Sequence, residues 1–189
     1  MDRSEPEGGS APTLRVDWPE YYRLIETLAL RIHESGYAFD SVLCLARGGL
    51  RVGDVISRIF NRPLAVLTVS SYREAAGTRR GSLQIAAAIS SIEGEPRGRV
   101  LLADDLADSG ATLAGVVRYL NQHFGHIGEL RTAVIWLKGC SQFRPDYFAS
   151  YLPDSPWIDQ PFEVYDRLKP EELAQRLQPT GRDPRANRQ

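Results

Sequence analysis

Three aspartates and a run of small residues form the part of the chain best suited to chemistry. Asp104, Asp105 and Asp108 stand within five positions, directly after the apolar residues 100–103. The next four residues are small, and their N–H groups and hydroxyls can bind an anion: Ser109, Gly110, Ala111 and Thr112. Carboxylates beside an anion site repel the ligand unless they bind hydroxyl groups or a metal ion. A sugar phosphate with free hydroxyls and a magnesium ion meets both conditions.

The chain around these residues has the pattern of a strand, a turn and a helix. Residues 100–103 are typical of a buried strand, and residues 113–120 have the apolar spacing of a helix. Such a turn aims unpaired backbone N–H groups and the positive end of the helix dipole at a ligand. An aspartate near a helix start is most often an N-cap, and Asp108 taken alone has that alternative.

A second strand, turn and helix come earlier in the chain. Residues 41–46 are a short apolar run followed by Arg47, Gly48 and Gly49, and residues 52–60 predict a helix. The glycines permit close backbone approach, and the arginine supplies a forked, permanently charged donor for phosphate oxygens. Two such loops in one sheet indicate a ligand with two phosphate ends. The alternative is an ordinary helix start with a solvated arginine.

The acidic stretch, DDLADSGAT at residues 104–112, resembles the phosphoribosyl pyrophosphate (PRPP) signature of type I phosphoribosyltransferases. The resemblance implies that Asp104 and Asp105 bind the ribose hydroxyls and Mg²⁺, and that residues 108–112 wrap the 5′-phosphate. It also implies a pyrophosphate-binding loop at Ala46, Arg47, Gly48 and Gly49.

Residues 74–98 are a long polar stretch whose apolar part, residues 83–92, predicts a β-hairpin arm. In the family this arm is a flexible hood that closes over the site and keeps water out. Arg79 and Arg80 would then neutralise the charge of the departing pyrophosphate. Of the two, we assign Arg79 to the pyrophosphate site. The alternative for either arginine is a solvated charge.

Two further features resemble the 6-oxopurine branch of the family, the xanthine-guanine and hypoxanthine enzymes. Lys138 follows the predicted strand 130–137 and would donate to O6 of the base. The stretch WIDQPFE at residues 157–163 offers Trp157 and Ile158 as a platform for a purine ring. The alternative for the tryptophan is core packing.

The resemblance implies an enzyme that transfers 5-phosphoribose from PRPP to N9 of guanine, xanthine or hypoxanthine. The products would be pyrophosphate and a nucleoside monophosphate, with Asp108 as general base at N7. A PRPP-sensing regulatory protein of the same fold, without catalysis, is one alternative. A nucleotide-binding fold for an unrelated phosphate ligand is another. Family habit implies a homodimer or homotetramer.

Length and composition indicate one soluble globular domain in this chain of 189 residues, 42% of them hydrophobic, with a net charge of −1. The fold class that we expect is α/β. We expect a mostly parallel sheet flanked by helices, with the hood arm and a small C-terminal base-binding segment. The domain would span residues 14–178, between disordered tails at 1–13 and 179–189. The small charge disfavours nucleic-acid and membrane partners, and the polar start favours a cytoplasmic location.

The remaining predictions concern individual elements. Apolar spacing from Trp18 predicts a helix with Asp17 as its cap and Pro19 in its first turn. Residues 64–69 predict a strand. Cys44 and Cys140 are predicted to be buried small hydrophobes rather than a disulfide or a metal pair.

Overall fold

The computed structural model of the chain describes residues 12–73 and 80–177, which contain eight strands and five helices. The strands are β1 Thr13–Arg15, β2 Ser41–Ala46, β3 Leu64–Arg73, β4 Arg80–Ile85, β5 Gly98–Ala107, β6 Ile127–Lys138, β7 Tyr147–Leu152 and β8 Trp157–Asp159. The helices are α1 Trp18–Glu34, α2 Gly49–Phe60, α3 Ala111–His123, α4 Val164–Arg167 and α5 Pro170–Leu177.

The main sheet has six strands in the order β4-β3-β2-β5-β6-β7, while β1 pairs with β8 in a separate two-stranded sheet. All neighbours in the main sheet are parallel except β3 and β4. The carboxyl ends of the parallel strands therefore meet at one edge, where open α/β sheets bind ligands. The predicted class, a mostly parallel sheet flanked by helices, is confirmed.

Helices cover both faces of the main sheet. Side chains alternate along β5, so that Leu101 and Ala103 pack with α1 and α2 on one face. Val100 and Leu102 pack with α3 on the other face. A strand buried on both faces has to be apolar at successive positions, which explains the run at residues 100–103.

The start of α1 agrees with the sequence prediction. Asp17 Oδ1 accepts a hydrogen bond from the N–H of Glu20 at 2.8 Å, and Pro19 lies in the first turn. Gly36 follows the helix with a φ of 71°, a conformation that glycine adopts without strain.

β5 is longer than predicted and carries the acidic pair. The prediction ended this strand at Ala103, but β5 runs to Ala107 because β6 continues beside it and pairs Asp104 with Val134. Asp104 and Asp105 therefore belong to the strand and do not follow it.

The predicted hairpin arm begins earlier in the chain than expected. Its second strand, β4, pairs antiparallel with the end of β3, which therefore extends beyond the predicted residues 64–69 to Arg73. Ile92, predicted within the arm, lies outside β4 and is fully exposed. Arg79 lies outside the described residues.

The predicted tails, residues 1–13 and 179–189, lie outside the described residues except for Pro12 and Thr13. Thr13 pairs with Trp157, so regular structure begins one residue before the predicted boundary at residue 14. Across residues 12–73 and 80–177, the structure contains no helix with the length and apolar character needed to cross a membrane.

The two cysteines have different environments. Cys44 is buried as predicted, but the prediction for Cys140 is wrong, because this residue is exposed. Cys140 lies in the turn after β6, where its N–H donates to Ser155 Oγ at 2.9 Å. The turn keeps the residue at the surface.

The first turn of α2 packs directly against the backbone of β5. A Cβ atom on Gly49 would lie 2.5 Å from the carbonyl oxygen of Ala103, closer than side chains come to a backbone. Glycine is therefore required for the helix to start this close to the strand.

We expect Gly49→Ala to lower the free energy of unfolding by about 1–3 kcal/mol, because the new methyl group must push α2 away from β5. Urea unfolding followed by circular dichroism measures this change. Gly125→Ala is the control, since nothing lies within 4 Å of a Cβ atom there. Equal stabilities of the two variants would contradict the contact.

Candidate active site

The acidic pair lies near the carboxyl end of β5, at the ligand-binding edge of the sheet. Asp104 is 9% exposed, and its Oδ1 accepts a hydrogen bond from the N–H of Asp105 at 3.0 Å. Burial raises the pKa of Asp104, and the negative charge of Asp105 beside it raises that pKa further. Burial also raises the pKa of Asp105, although a hydrogen bond from Gln160 opposes this effect. The pair therefore favours ligands that bring donors or positive charge.

The acidic pair has the composition of a magnesium site that a ligand completes. Within residues 12–73 and 80–177, no group of three or more His, Cys, Asp or Glu could hold a metal ion. Magnesium, however, commonly takes one or two carboxylates from a protein and fills its other positions with phosphate oxygens and water. Asp104 and Asp105 thus fit an ion that binds together with a phosphorylated ligand.

The glycine loop between β2 and α2 packs on the acidic pair. A Cβ atom on Gly48 would lie 2.5 Å from Asp105 Oδ1, so a larger residue here would displace that carboxylate. The peptide bond between Ala46 and Arg47 is cis. Sequence analysis predicted that the two glycines let the backbone approach a ligand closely. In the structure the backbone of Gly48 approaches Asp105 of β5.

Arg47 extends from this loop toward the C-terminal part of the chain. Its Nη2 lies 3.2 Å from Asp166 Oδ1 in α4, and its side chain is 86% exposed. Between the loop and α4 lies a cavity of about 620 Å³, lined by Arg47, Arg51 and Phe162 among others. The Arg51 guanidinium lies 4.3 Å from the centre of the Phe162 ring. This contact ties α2 to residues 157–167, from the start of β8 to the end of α4, which we call the C-terminal segment.

The turn after β5 leaves the start of α3 open. Gly110 has a φ of 77°, and no side chain caps the helix, so the capping alternative for Asp108 is wrong. The carbonyl oxygen of Ser109 accepts from the N–H of Gln142 at 3.0 Å, which fixes the turn against the loop after β6. The N–H of Ala111 donates to Ser109 Oγ at 3.4 Å, and the N–H groups that follow it in α3, beginning at Thr112, are available to an anion.

Asp108 and Lys138, predicted separately, form an ion pair. Lys138 ends β6, the neighbour of β5, and its Nζ lies 3.1 Å from Asp108 Oδ1. The lysine side chain is 7% exposed, whereas that of the aspartate is 51% exposed. Cys140 Sγ lies 3.6 Å from the carbonyl oxygen of Asp108. The pair places a buried cation beside a carboxylate that solvent and ligands can reach.

The predicted aromatic platform is corrected by the structure. Trp157 is 51% exposed, so the core-packing alternative is wrong, but the Ile158 side chain is 4% exposed and lies in the core. Successive side chains of β8 point to opposite faces, and the strand buries only its middle residue. Ile158 can therefore offer a ligand its backbone and not its side chain.

Sequence analysis missed Gln160 as a member of this site. The residue is 7% exposed, and its Nε2 donates to Asp105 Oδ2 at 2.8 Å. The only signal in the sequence was its position within the stretch 157–163. Arg51 was missed too, because the cation–π contact joins residues more than one hundred positions apart.

Comparison with known proteins agrees with this geometry. The chain matches the phosphoribosyl transferase domain family over residues 16–167. It is 27% identical over 157 residues to the xanthine-guanine phosphoribosyltransferase of Roseobacter denitrificans (strain ATCC 33942 / OCh 114), covering 79% of this chain and 84% of that protein.

Two solved structures extend the comparison. The purine phosphoribosyltransferase from Pyrococcus horikoshii Ot3 has a TM-score of 0.65 and 28% identity, covering 79% of this chain and 93% of that chain. The Helicobacter pylori xanthine-guanine-hypoxanthine phosphoribosyltransferase shares the fold, with a TM-score of 0.67 and 21% identity over 86% of this chain and 99% of that chain. The family that the acidic motif resembles is therefore confirmed: the chain belongs to the phosphoribosyl transferase domain family.

Proposed function

We propose that this protein is a purine phosphoribosyltransferase that transfers 5-phosphoribose from PRPP to N9 of a 6-oxopurine base. The products are pyrophosphate and a nucleoside monophosphate. The family match and the transferase names of the relatives support the enzymatic function. They do not favour the alternative of a sensing protein without catalysis.

The ion pair of Lys138 and Asp108 is the observation that supports a 6-oxopurine as the substrate base. Lys138 has donors only, and an ionised Asp108 has acceptors only. A 6-oxopurine with a proton on N7 presents the complementary pair, an acceptor at O6 beside a donor at N7. Adenine presents an amino donor at position 6, which a lysine cannot accept. The polarity of this pair therefore favours guanine, xanthine or hypoxanthine.

Asp108 also has a chemical role in the proposed transfer. N9 of the base forms a bond to C1′ of the ribose, while the bond from C1′ to pyrophosphate breaks and its electrons leave with the pyrophosphate. Asp108 takes the N7 proton as general base, so that positive charge does not build up on the purine. Its 51% exposed side chain is accessible for this contact.

Two loops bind the phosphate ends of PRPP in this proposal. The turn of Asp108, Ser109, Gly110, Ala111 and Thr112 binds the 5′-phosphate, and the loop of Ala46, Arg47, Gly48 and Gly49 binds pyrophosphate, assisted by Arg79. Arg47 must leave Asp166 to do so. An exposed ion pair of this kind is worth at most about 1 kcal/mol, so phosphate contacts can replace it.

Asp104 and Asp105 bind the ribose hydroxyls and a Mg²⁺ ion. When bound, the ion would neutralise charge on the pyrophosphate group as it leaves. The two carboxylates orient the ribose between the phosphate loops. Trp157 and the backbone near Ile158 would bind the base from the C-terminal segment.

An assay of the purified protein with PRPP and Mg²⁺ against six bases tests the proposal. We expect nucleotide formation from guanine, xanthine or hypoxanthine and none above background from adenine, uracil or orotate. Binding of PRPP without turnover of any base would instead support the sensing alternative.

We expect Asp108→Asn to lower kcat by roughly 10²–10⁴-fold, because the amide cannot accept the N7 proton. Asp154→Asn, at an exposed position in a turn, is the matched control and should keep the original rate. Steady-state kinetics with the best base measures both variants. A kcat for Asp108→Asn within a factor of two of the original would exclude the general-base role.

Isothermal titration with PRPP tests the acidic pair. We expect Asp104→Asn and Asp105→Asn each to weaken PRPP binding at least about tenfold in the presence of Mg²⁺, because a charge-assisted contact is lost. The stimulation of binding by Mg²⁺ should also decrease. Unchanged affinity and unchanged Mg²⁺ dependence would exclude the ribose and metal assignments.

We expect the protein to form a homodimer or homotetramer. A cytoplasmic location also stays a prediction. The near-neutral net charge gives no reason to expect nucleic acid or a membrane as a partner. Analytical sedimentation measures the assembly directly. A monomer under assay conditions would contradict the expected assembly.

A further inference from the structure

Gln160 connects the C-terminal segment to the acidic pair. It directly follows β8, it is 7% exposed, and its Nε2 donates to Asp105 Oδ2 at 2.8 Å. Its Oε1 is buried and has no hydrogen-bond partner among the described residues. The amide thus has one strong polar contact, and that contact is with a residue of the proposed ribose site.

The polar side chain at this position is explained by Asp105. Burial of an unpaired Oε1 costs free energy that an apolar side chain of similar size would avoid. An ionised carboxylate only accepts hydrogen bonds, so the amide must turn Nε2 toward Asp105 and leave Oε1 facing the other way. The contact with Asp105 compensates for part of that cost.

The backbone holds Gln160 from both sides. The carbonyl oxygen of Asp159 accepts from the N–H of Val16 at 3.1 Å, and the carbonyl oxygen of Gln160 accepts from the N–H of Glu163 at 3.0 Å. The backbone of Gln160 therefore has a fixed position relative to the start of α1. The amide can consequently move only by rotation about the bonds of its own side chain.

Asp105 is confined between two neighbours. Gln160 binds Oδ2, while the backbone of Gly48 lies so close to the carboxylate that a Cβ atom there would stand 2.5 Å from Oδ1. The carboxylate therefore has a hydrogen bond on one side and a close backbone on the other, which together limit its movement.

We propose that Gln160 is a positioning residue for the ribose site: it fixes the orientation of Asp105 and so makes PRPP binding depend on the docked C-terminal segment. This inference rests on the proposed function of the acidic pair. Gln160 does not touch the reacting atoms and acts through Asp105. Its effect should therefore disappear when Asp105 is removed.

A double-mutant cycle on PRPP affinity tests the inference. Gln160→Met keeps the size of the side chain and removes the donor, and we expect it to raise the Kd for PRPP with Mg²⁺ about tenfold. In the Asp105→Ala background the same substitution should change the Kd by less than about twofold. Isothermal titration measures the four proteins, and thermal unfolding shows that each is folded.

Leu120→Ala is the control for general destabilisation, because Leu120 is a fully buried residue of α3 in the apolar cluster on the other face of the sheet, which among the described residues includes none of the C-terminal segment. It should lower the melting temperature and leave the Kd for PRPP within about twofold of the original. If Gln160→Met does not fold, Gln160→Asn replaces it, since the shorter amide retains polarity but withdraws the donor from Asp105.

The outcomes separate this inference from the proposed function. If the unmodified protein does not bind PRPP, the proposed function itself is wrong. If it binds PRPP and Gln160→Met binds equally well, the positioning role is excluded while the proposed function stands. Additive effects of the two substitutions, or an equal loss of affinity in Leu120→Ala, would also overturn the positioning role.

Discussion

The position of two adjacent carboxylates on the central strand, one buried and one partly buried, is the constraint that organises this protein. Removing Asp104 and Asp105 from water disfavours their charged forms, and their proximity adds repulsion. The surrounding chain limits this cost with backbone and amide donors, from Asp105 itself and from Gln160. Everything that packs on the pair, including the glycine loop and the C-terminal segment, has to leave its ligand-binding side open.

Residue patterns were sufficient to predict the parts of the site that lie in continuous stretches. The strand, turn and helix around Asp108 could be predicted because apolar spacing and small residues are local signals. The prediction placed Asp108 in the turn after one strand and Lys138 at the end of another. The ion pair of Asp108 with Lys138 could not be predicted, because it requires β5 and β6 to be neighbours. That adjacency comes from the sheet order, which no local pattern specifies.

The errors in prediction have the same physical origin. A three-residue strand such as β8 is too short for its alternation to show which side chain faces the core, so Ile158 was assigned to the wrong side. Gln160 was overlooked because a buried amide and an exposed one look alike in sequence. The length of β5 depended on how far β6 extends beside it.

The order of three neighbouring strands sets a linear order for any ligand along the edge of the sheet. β2 ends in the arginine loop, β5 carries the acidic pair and β6 ends at Lys138, with neighbouring strands roughly 5 Å apart. A ligand that contacts all three must present its anionic end, its hydroxyl-bearing centre and its acceptor-bearing ring in that sequence. The strand order therefore selects a ligand by the order and spacing of its chemical groups.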